Sequence, residues 1–316
     1  MKAVTRLAAG ATLALAAATQ PAAAQDYPER PVEFIVPWSP GGGSDTLMRI
    51  VANTLPQYLG TEVPVINMPG VSGTVGLRET SRRAADGYTI SQIHEGLLAA
   101  TQTGLTDLGW DDFEPVALMT YSPQYLVTGD DQPFSTFEEF VAYAEEHPGE
   151  LTVGVTLGGV PHLHAAMIAE AADIELSYVG YEGTGERVRA LVGGNLDLAI
   201  GDIASSGQFV ENGDLTFLAV GSTERLEQTP DVPTFAELGH DLELAITRGI
   251  VMPAGTPDDI QGIMESALRD LSQDDTFVEQ VNNAGAEVDF RGQDGYEEYL
   301  SDLSRTVERL AAVLAP

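Results

Sequence analysis

Residues 32–45 read VEFIVPWSPGGGSD, and the fold of the whole chain can be argued from this stretch. Val32 to Val36 is a short apolar run rich in β-branched residues, the mark of a buried strand. Pro37 to Gly43 then breaks it, because proline and consecutive glycines punctuate a backbone. Ser44 is placed to cap a helix that carries Leu47, Ile50, Val51 and Leu55 on one face. Pro56 should end or kink that helix. Strand, glycine-rich turn and helix in this order form the repeating unit of open α/β sheets. Three glycines let the backbone approach a ligand closely, and the free N–H groups at a helix start favour an anion. No lysine follows the glycines and the spacing is not GxGxxG, so neither a Walker loop nor a dinucleotide fingerprint is present.

The unit recurs along the chain. Val63 to Ile66 is a second strand, followed by NMPGVSGTVG at 67–76, and Asp86-Gly87 turns into a strand at Tyr88 to Ile90. Thr136 and Glu139 have the spacing of a capping box ahead of Phe137, Phe140 and Val141. Strands at 151–155, 177–179, 196–200 and 215–220 alternate with helices at 161–172 and 186–192, with Gly193-Gly194 as a stop. TLGGVPHLH (156–164), YEGTGE (181–186) and GDIASS (201–206) are further turns after strands. Ligands of open α/β sheets bind at the carboxyl ends of strands, so these loops could converge on one cleft. Thr256 is expected to cap a helix with Pro257 at its first position and Ile260, Ile263, Met264, Leu268 and Leu271 along one face. A long amphipathic helix closes the chain, with Tyr299, Leu300, Leu303, Val307, Leu310 and Leu314 inward.

Composition narrows the function. The 316 residues carry 15 basic and 48 acidic side chains, a net charge of -33, which excludes a phosphate-backbone partner and disfavours an anionic membrane surface. No cysteine is present, so disulfides, thiol nucleophiles and cysteine-ligated zinc are excluded. Lys2 and Arg6, the uncharged run Leu7 to Thr19 and Ala22-Ala23-Ala24 have the three parts of a secretory signal, predicting cleavage near Ala24 and a soluble, exported, periplasmic chain. The apolar run is shorter than the roughly 20 residues a membrane span needs. Lys2 is the only lysine, so cleavage leaves arginine as the sole strong base and brings the net charge to -35, with 13 basic against 48 acidic residues. Self-repulsion of that size is screened by salt, and a halophilic acidic surface is the expectation. Catalysis finds little support: there is no GxSxG and no HExxH, the five histidines form no recognisable site, and His162-Leu163-His164 reads more simply as a polar helix start than as a metal pair. No catalytic residue, metal or cofactor is expected.

PWSPGGGSD, NMPGVSGTVG, DGYTI at 86–90, YEGTGE, ALVGGNLDLAIGD at 190–202, LAVGS at 218–222, PDVPTFAELG at 230–239 and MPAGTP at 252–257 resemble, in order and over essentially all of the mature chain, the periplasmic solute-binding proteins of tripartite tricarboxylate transporters, the Bug family. The resemblance implies a type II periplasmic binding fold: two α/β lobes joined by crossing strands, the first from residues 26–123 and 223–316, the second from 124–222. It implies capture of a small carboxylate, of the di- or tricarboxylate kind, for an integral membrane permease, by a protein expected to act as a monomer. By motif position it implies Ser39, Gly42, Asp45, Ser72, Gly73, Thr156, His162, Tyr181 and Asp202 as ligand-binding residues. Arg248, in an otherwise apolar run and matching an arginine of the tricarboxylate-binding subset, is expected to hold a second carboxylate. Alternatives of other classes are a sensing module for a signalling partner and an exported α/β hydrolase.

Overall fold

The structure, a computed structural model, describes residues 27–314 apart from Ser39, Gly42, Glu182 and Gly183; the expected signal peptide lies outside these residues. In chain order the first elements are β1 (Glu33–Val36), α1 (Gly43–Thr54), α2 (Pro56–Leu59), β2 (Val65–Asn67), α3 (Thr74–Thr80), β3 (Thr89–Ile93), α4 (Glu95–Gln102), β4 (Phe113–Pro123) and β5 (Tyr125–Gly129). There follow α5 (Phe137–Glu146), β6 (Thr152–Val155), α6 (Val160–Ala172), β7 (Ser177–Gly180), α7 (Thr184–Val192), β8 (Leu198–Gly201), α8 (Ile203–Glu211) and β9 (Leu215–Val220). The chain ends with β10 (Ala245–Pro253), α9 (Asp258–Leu271), α10 (Asp275–Asn283), β11 (Glu287–Gly292) and α11 (Gln293–Leu314).

Two sheets result, a six-stranded one of order β11-β4-β10-β3-β1-β2 and a five-stranded one of order β7-β6-β8-β5-β9. β1, β2 and β3 run parallel, and β10 is antiparallel to β3 and β4. β6, β7 and β8 run parallel, with β5 antiparallel between β8 and β9. Each sheet has its own core. Phe34, Met48, Val51, Ile90, Met264 and Leu268 belong to the first; Leu126, Phe137, Phe140, Ile168, Leu198 and Phe235 belong to the second. The buried positions of α1 (Leu47, Met48, Val51) and α9 (Met264, Leu268, Leu271) follow the helical period expected of one apolar face. α11 packs its Val307, Leu310 and Leu314 with Leu98 of α4 and Leu163 of α6, so it touches both halves.

The chain passes between the halves at one place. β4 passes into β5 through Gln124 alone, and the return runs through Leu244 into β10. Three backbone hydrogen bonds close a triangle there: Gln124 N–H to Leu244 C=O (2.8 Å), Gly221 N–H to Gln124 C=O (2.9 Å) and Leu244 N–H to Gly221 C=O (2.9 Å). The Tyr121 hydroxyl adds a fourth, donated to Gly221 C=O.

Several local features depart from the sequence reading. Residues 223–244, assigned there to the first lobe, pack instead on the five-stranded sheet: Phe235 and Leu244 enter its core, and Val220 and Phe235 exchange backbone bonds with Pro233 and each other. Thr256 does not cap α9; its hydroxyl donates to Pro253 C=O, and Pro257 occupies the cap position with no side-chain bond. Ser44 lies inside α1 rather than before it, and its hydroxyl is used elsewhere. Thr136 does cap α5, accepting from Glu139 N–H, but the Glu139 carboxylate returns to Ser135 rather than to the cap residue.

Gly221 is required at the crossing by close approach. A Cβ there would stand 2.5 Å from Leu244 Cβ and 2.6 Å from Leu244 N. Overpacking of this kind costs about 1–3 kcal/mol. Gly221→Ala should therefore lower the melting temperature by several degrees; an unchanged Tm in a thermal scan would show that the crossing yields freely.

Candidate functional site

The carboxyl ends of β1 and β3 and the start of α1 form one edge of the six-stranded sheet. Ile93, the last residue of β3, pairs with Gly249, so Arg248 extends just beyond that edge. The β4–β10 register shifts at Arg248/Gly249, a bulge that re-aims the side chain. Arg248 is 5% exposed. Its Nε donates to Ser44 Oγ (3.0 Å), and its Nη1 donates to Ser122 Oγ (2.8 Å) and Ile246 C=O (3.1 Å). Its Nη2 lies 3.4 Å from where a Cβ of Gly43 would be, so the glycine leaves it room at the first turn of α1. Arg248 thus serves the same helix start as the first glycine loop, and not the separate second-carboxylate position expected from the sequence. Burial lowers its pKa to about 10 against the attraction of Glu95 and Asp202, and it stays charged at neutral pH. Glu95, buried at the head of α4, accepts from the N–H and hydroxyl of Thr247 and from the Tyr299 hydroxyl, which fixes the residue just before Arg248. Burial raises its own pKa despite those bonds.

Asp45 is a loop anchor. Its carboxylate accepts from Gly41 N–H (2.8 Å) and Asn67 Nδ2 (2.7 Å) and pairs with Arg49 Nε (2.9 Å). Asn67 also donates to Trp38 C=O, so the first and second loops are tied together. Trp38 stacks on His94 at 4.5 Å and 14°. His94 caps α4 through Nδ1, and burial followed by the nearby Arg248 lowers its pKa to about 3. The second loop is strained: Gly70, Val71, Ser72 and Gly73 all have positive φ, of 136°, 47°, 53° and 86°. A β-branched residue in that region is an outlier, and such strain concentrates at ligand clamps. A Cβ at Gly73 would stand 3.0 Å from Trp38 Cζ2, so the two loops touch.

The facing edge is built from the carboxyl ends of β6, β7 and β8. Thr156 follows β6. His162, in the first turn of α6, accepts from Gly158 N–H through Nδ1 and rests edge-on against Tyr178. Burial lowers its pKa; because Nδ1 accepts, the ring proton lies on Nε2, and that buried N–H has no acceptor among the described residues. His164, two positions on, points elsewhere, towards a cavity it lines with Glu95 and Tyr299. Tyr181 follows β7, donates its N–H to Val155 C=O and packs its ring on the lobe core. Asp202 caps α8, its carboxylate accepting from Ser205 N–H at 2.8 Å. Ser39 and Gly42 lie outside the described residues.

The structure thus groups Asp45, Ser72, Gly73 and Arg248 on one edge and Thr156, His162, Tyr181 and Asp202 on the other. Sequence reasoning passed over Ser44, Ser122 and, on the second edge, Arg187. Arg187 sits on the inward stripe of α7 with Leu191, four residues on, which is the only pattern that marks it out. Nine surface arginines pair with carboxylates, at positions 30, 49, 78, 83, 225, 269, 291, 305 and 309. Arg187 and Arg248 have no carboxylate within 4.0 Å among the described residues. Cavities of about 540 and 480 Å³ flank the crossing; Glu224, Glu227 and Glu287 line one with Arg225, and Glu243, Glu298 and Asp302 the other with Arg291, both arginines being already paired with carboxylates, so acidic groups dominate each. Among the described residues no three His, Asp or Glu side chains are grouped to hold a metal ion.

Residues 47–314 match the model of the tripartite tricarboxylate transporter family receptor. BugT of Bordetella pertussis is 30% identical over 98% of this chain and 97% of its own. An R. palustris protein solved with adipate superposes with a TM-score of 0.78 at 26% identity, covering 92% of this chain and 98% of that one. MatC of Rhodopseudomonas palustris, solved with bound malate, gives 0.73 at 27% identity over 91% of this chain and 100% of that one.

A carboxyl held below its ordinary pKa stabilises the fold above that value and loses the contribution as pH falls through the lowered one. Burial opposes the charge of Asp45, but the bonds from Arg49, Gly41 and Asn67 outweigh it and hold the group below 3.8. Asp45→Asn should therefore melt lower than the parent chain at pH 7, with the gap narrowing as pH falls below the ordinary carboxylate value and through the lowered one. Coincident melting curves at pH 7 would contradict the anchoring role.

Proposed function

The chain belongs to the tripartite tricarboxylate transporter family of receptors, and on that premise we propose that it captures a small carboxylate, of the di- or tricarboxylate kind, between its two α/β halves. One observation carries the reading. Arg248 is a buried cation, three of its N–H groups held by Ser44, Ser122 and Ile246, placed at the start of α1 with no carboxylate beside it among the described residues. A desolvated charge demands a counter-charge, and a guanidinium together with helix-start N–H groups fits a carboxylate. The adipate and malate held by the two structural relatives are ligands of the same chemistry.

The protein acts as a receptor rather than a catalyst. It is exported to the periplasm after cleavage near Ala24, works as a monomer and hands its ligand to membrane permease subunits. Among the described residues no helix is long and apolar enough to cross a membrane. The halves move as lobes about Gln124 and Leu244, closing on ligand as hinged binding proteins do. The acidic surface is an adaptation to salt, which screens the self-repulsion of a net charge of -35 in the cleaved chain, 13 basic against 48 acidic residues.

Purified protein unfolded in denaturant should release a copurified organic acid identifiable by mass spectrometry. In calorimetry Arg248→Gln should weaken binding of the released acid at least tenfold, about 1.4 kcal/mol. Unchanged affinity with the fold intact would refute the role of Arg248. The melting temperature should rise steadily from dilute buffer to molar NaCl; a flat profile would dismiss the salt adaptation.

A further inference from the structure

A second arginine is buried in the other half. Arg187 is 1% exposed, and its stem crosses β6 where Gly154 makes room, a Cβ there being 3.2 Å from Arg187 Cβ. Its Nε donates to Ile200 C=O at 2.7 Å, its Nη2 to Thr184 Oγ1 at 2.9 Å, and its Nη1 makes only a long 3.4 Å contact with Thr156 Oγ1. These three partners stand at the end of β8, just after β7 and just after β6, so the guanidinium lies at the carboxyl edge of the second sheet, where ligands of such sheets bind. Five N–H groups and three acceptors leave two N–H unassigned among the described residues, one on each terminal nitrogen. The same accounting for Arg248 leaves both N–H of Nη2.

Two further facts connect the pair. The Asp202 charge acts on both guanidiniums, so both lie within its range at the mouth of β8. The loop that offers Thr156 to Arg187 leads into the first turn of α6, which carries His162, 3% exposed, whose Nε2–H is a buried donor with no acceptor among the described residues. Two like charges of low hydration, offset by Asp202, which is already capping α8, and at Arg248 also by the buried Glu95, resist being brought together unless an anion stands at each.

We propose that Arg187 binds the second anionic group of a dicarboxylate whose first carboxylate sits at Arg248 and the start of α1, so that the ligand bridges the two halves. Arg187 is then the residue that separates dicarboxylates from monocarboxylates and makes closure depend on the far end of the ligand. This rests on the carboxylate reading given above.

The test is calorimetry on the full mature protein with succinate, glutarate and adipate and with the chain-matched monocarboxylates butyrate, valerate and hexanoate. Scattering profiles are recorded with each. Arg187→Gln should weaken the preferred dicarboxylate at least tenfold and leave the matched monocarboxylate within twofold, whereas Arg248→Gln should weaken both. Only the dicarboxylate should reduce the radius of gyration of the parent protein. Arg187→Lys keeps the charge but not the fork, and should fold and lose dicarboxylate affinity by a smaller factor. Equal loss for both ligand types, or no loss, in Arg187→Gln would overturn the inference while leaving the carboxylate reading intact. Failure of both variants to fold would make Arg187 a structural post and overturn it equally. A parent protein that binds none of the six acids, after removal of any copurified ligand, would bring down both.

Discussion

Everything in this molecule is referred to three backbone hydrogen bonds among Gln124, Gly221 and Leu244. They are the point where two independently cored sheets meet, and they sit at the edge from which both sheets present their strand ends. Tyr125 pairs with Gly201 at the carboxyl end of β8, and Gly249 pairs with Ile93 at the carboxyl end of β3, so each crossing strand is also a neighbour of the loops that line the cleft. Because the junction is made of backbone rather than of a tether, rotation about it is confined to a few dihedral angles. The cleft residues of one half are thereby held in register with those of the other.

The second constraint is electrostatic. A chain this acidic offers an anion little long-range attraction, and most of its arginines are already neutralised by neighbours at the surface. On the proposed reading, selectivity is built from desolvation. Guanidiniums removed from water and held by hydroxyls and carbonyls keep their full charge for a ligand, whereas one paired with a carboxylate would not. Ser44, Ser122, Thr156 and Thr184 are suited to this because a hydroxyl orients an N–H without cancelling its charge. Within a closed cleft such contacts are screened far less by salt than surface pairs are.

The alternation of strand, glycine turn and helix was legible because its signals are local: Val32–Val36, the glycines after it, Pro56 at the first position of α2, Thr136 before α5 and Gly194 after α7 all act over a few residues. The crossing was not, since β4 contains Pro115, Thr120, Tyr121 and Ser122 and shows neither alternation nor an unbroken apolar run. Segment 223–244 has no strong periodicity, so only tertiary packing of Phe235 and Leu244 fixes its side. Arg248 was visible as a charge in an apolar run. Arg187, flanked by Glu186 and Arg189 on a helix, looks like a solvated surface residue until its partners in β8 and the β6 loop are known. Ser44 and Thr256 illustrate the opposite error: both have the chemistry of a helix cap, but a nearby guanidinium takes one hydroxyl and the Pro253 carbonyl the other.

The left-handed run from Gly70 to Ser72 has a consequence for how this protein can evolve. Glycine at position 71 or 72 would relieve the backbone and make the chain more stable, so random drift towards stability pulls against the present loop. Such a segment persists only while something outside the folding equilibrium rewards its shape. A lineage that lost its transported solute would be expected to relax here first, long before the buried core or the crossing began to change, and the loop therefore serves as a record of whether the receptor is still in use.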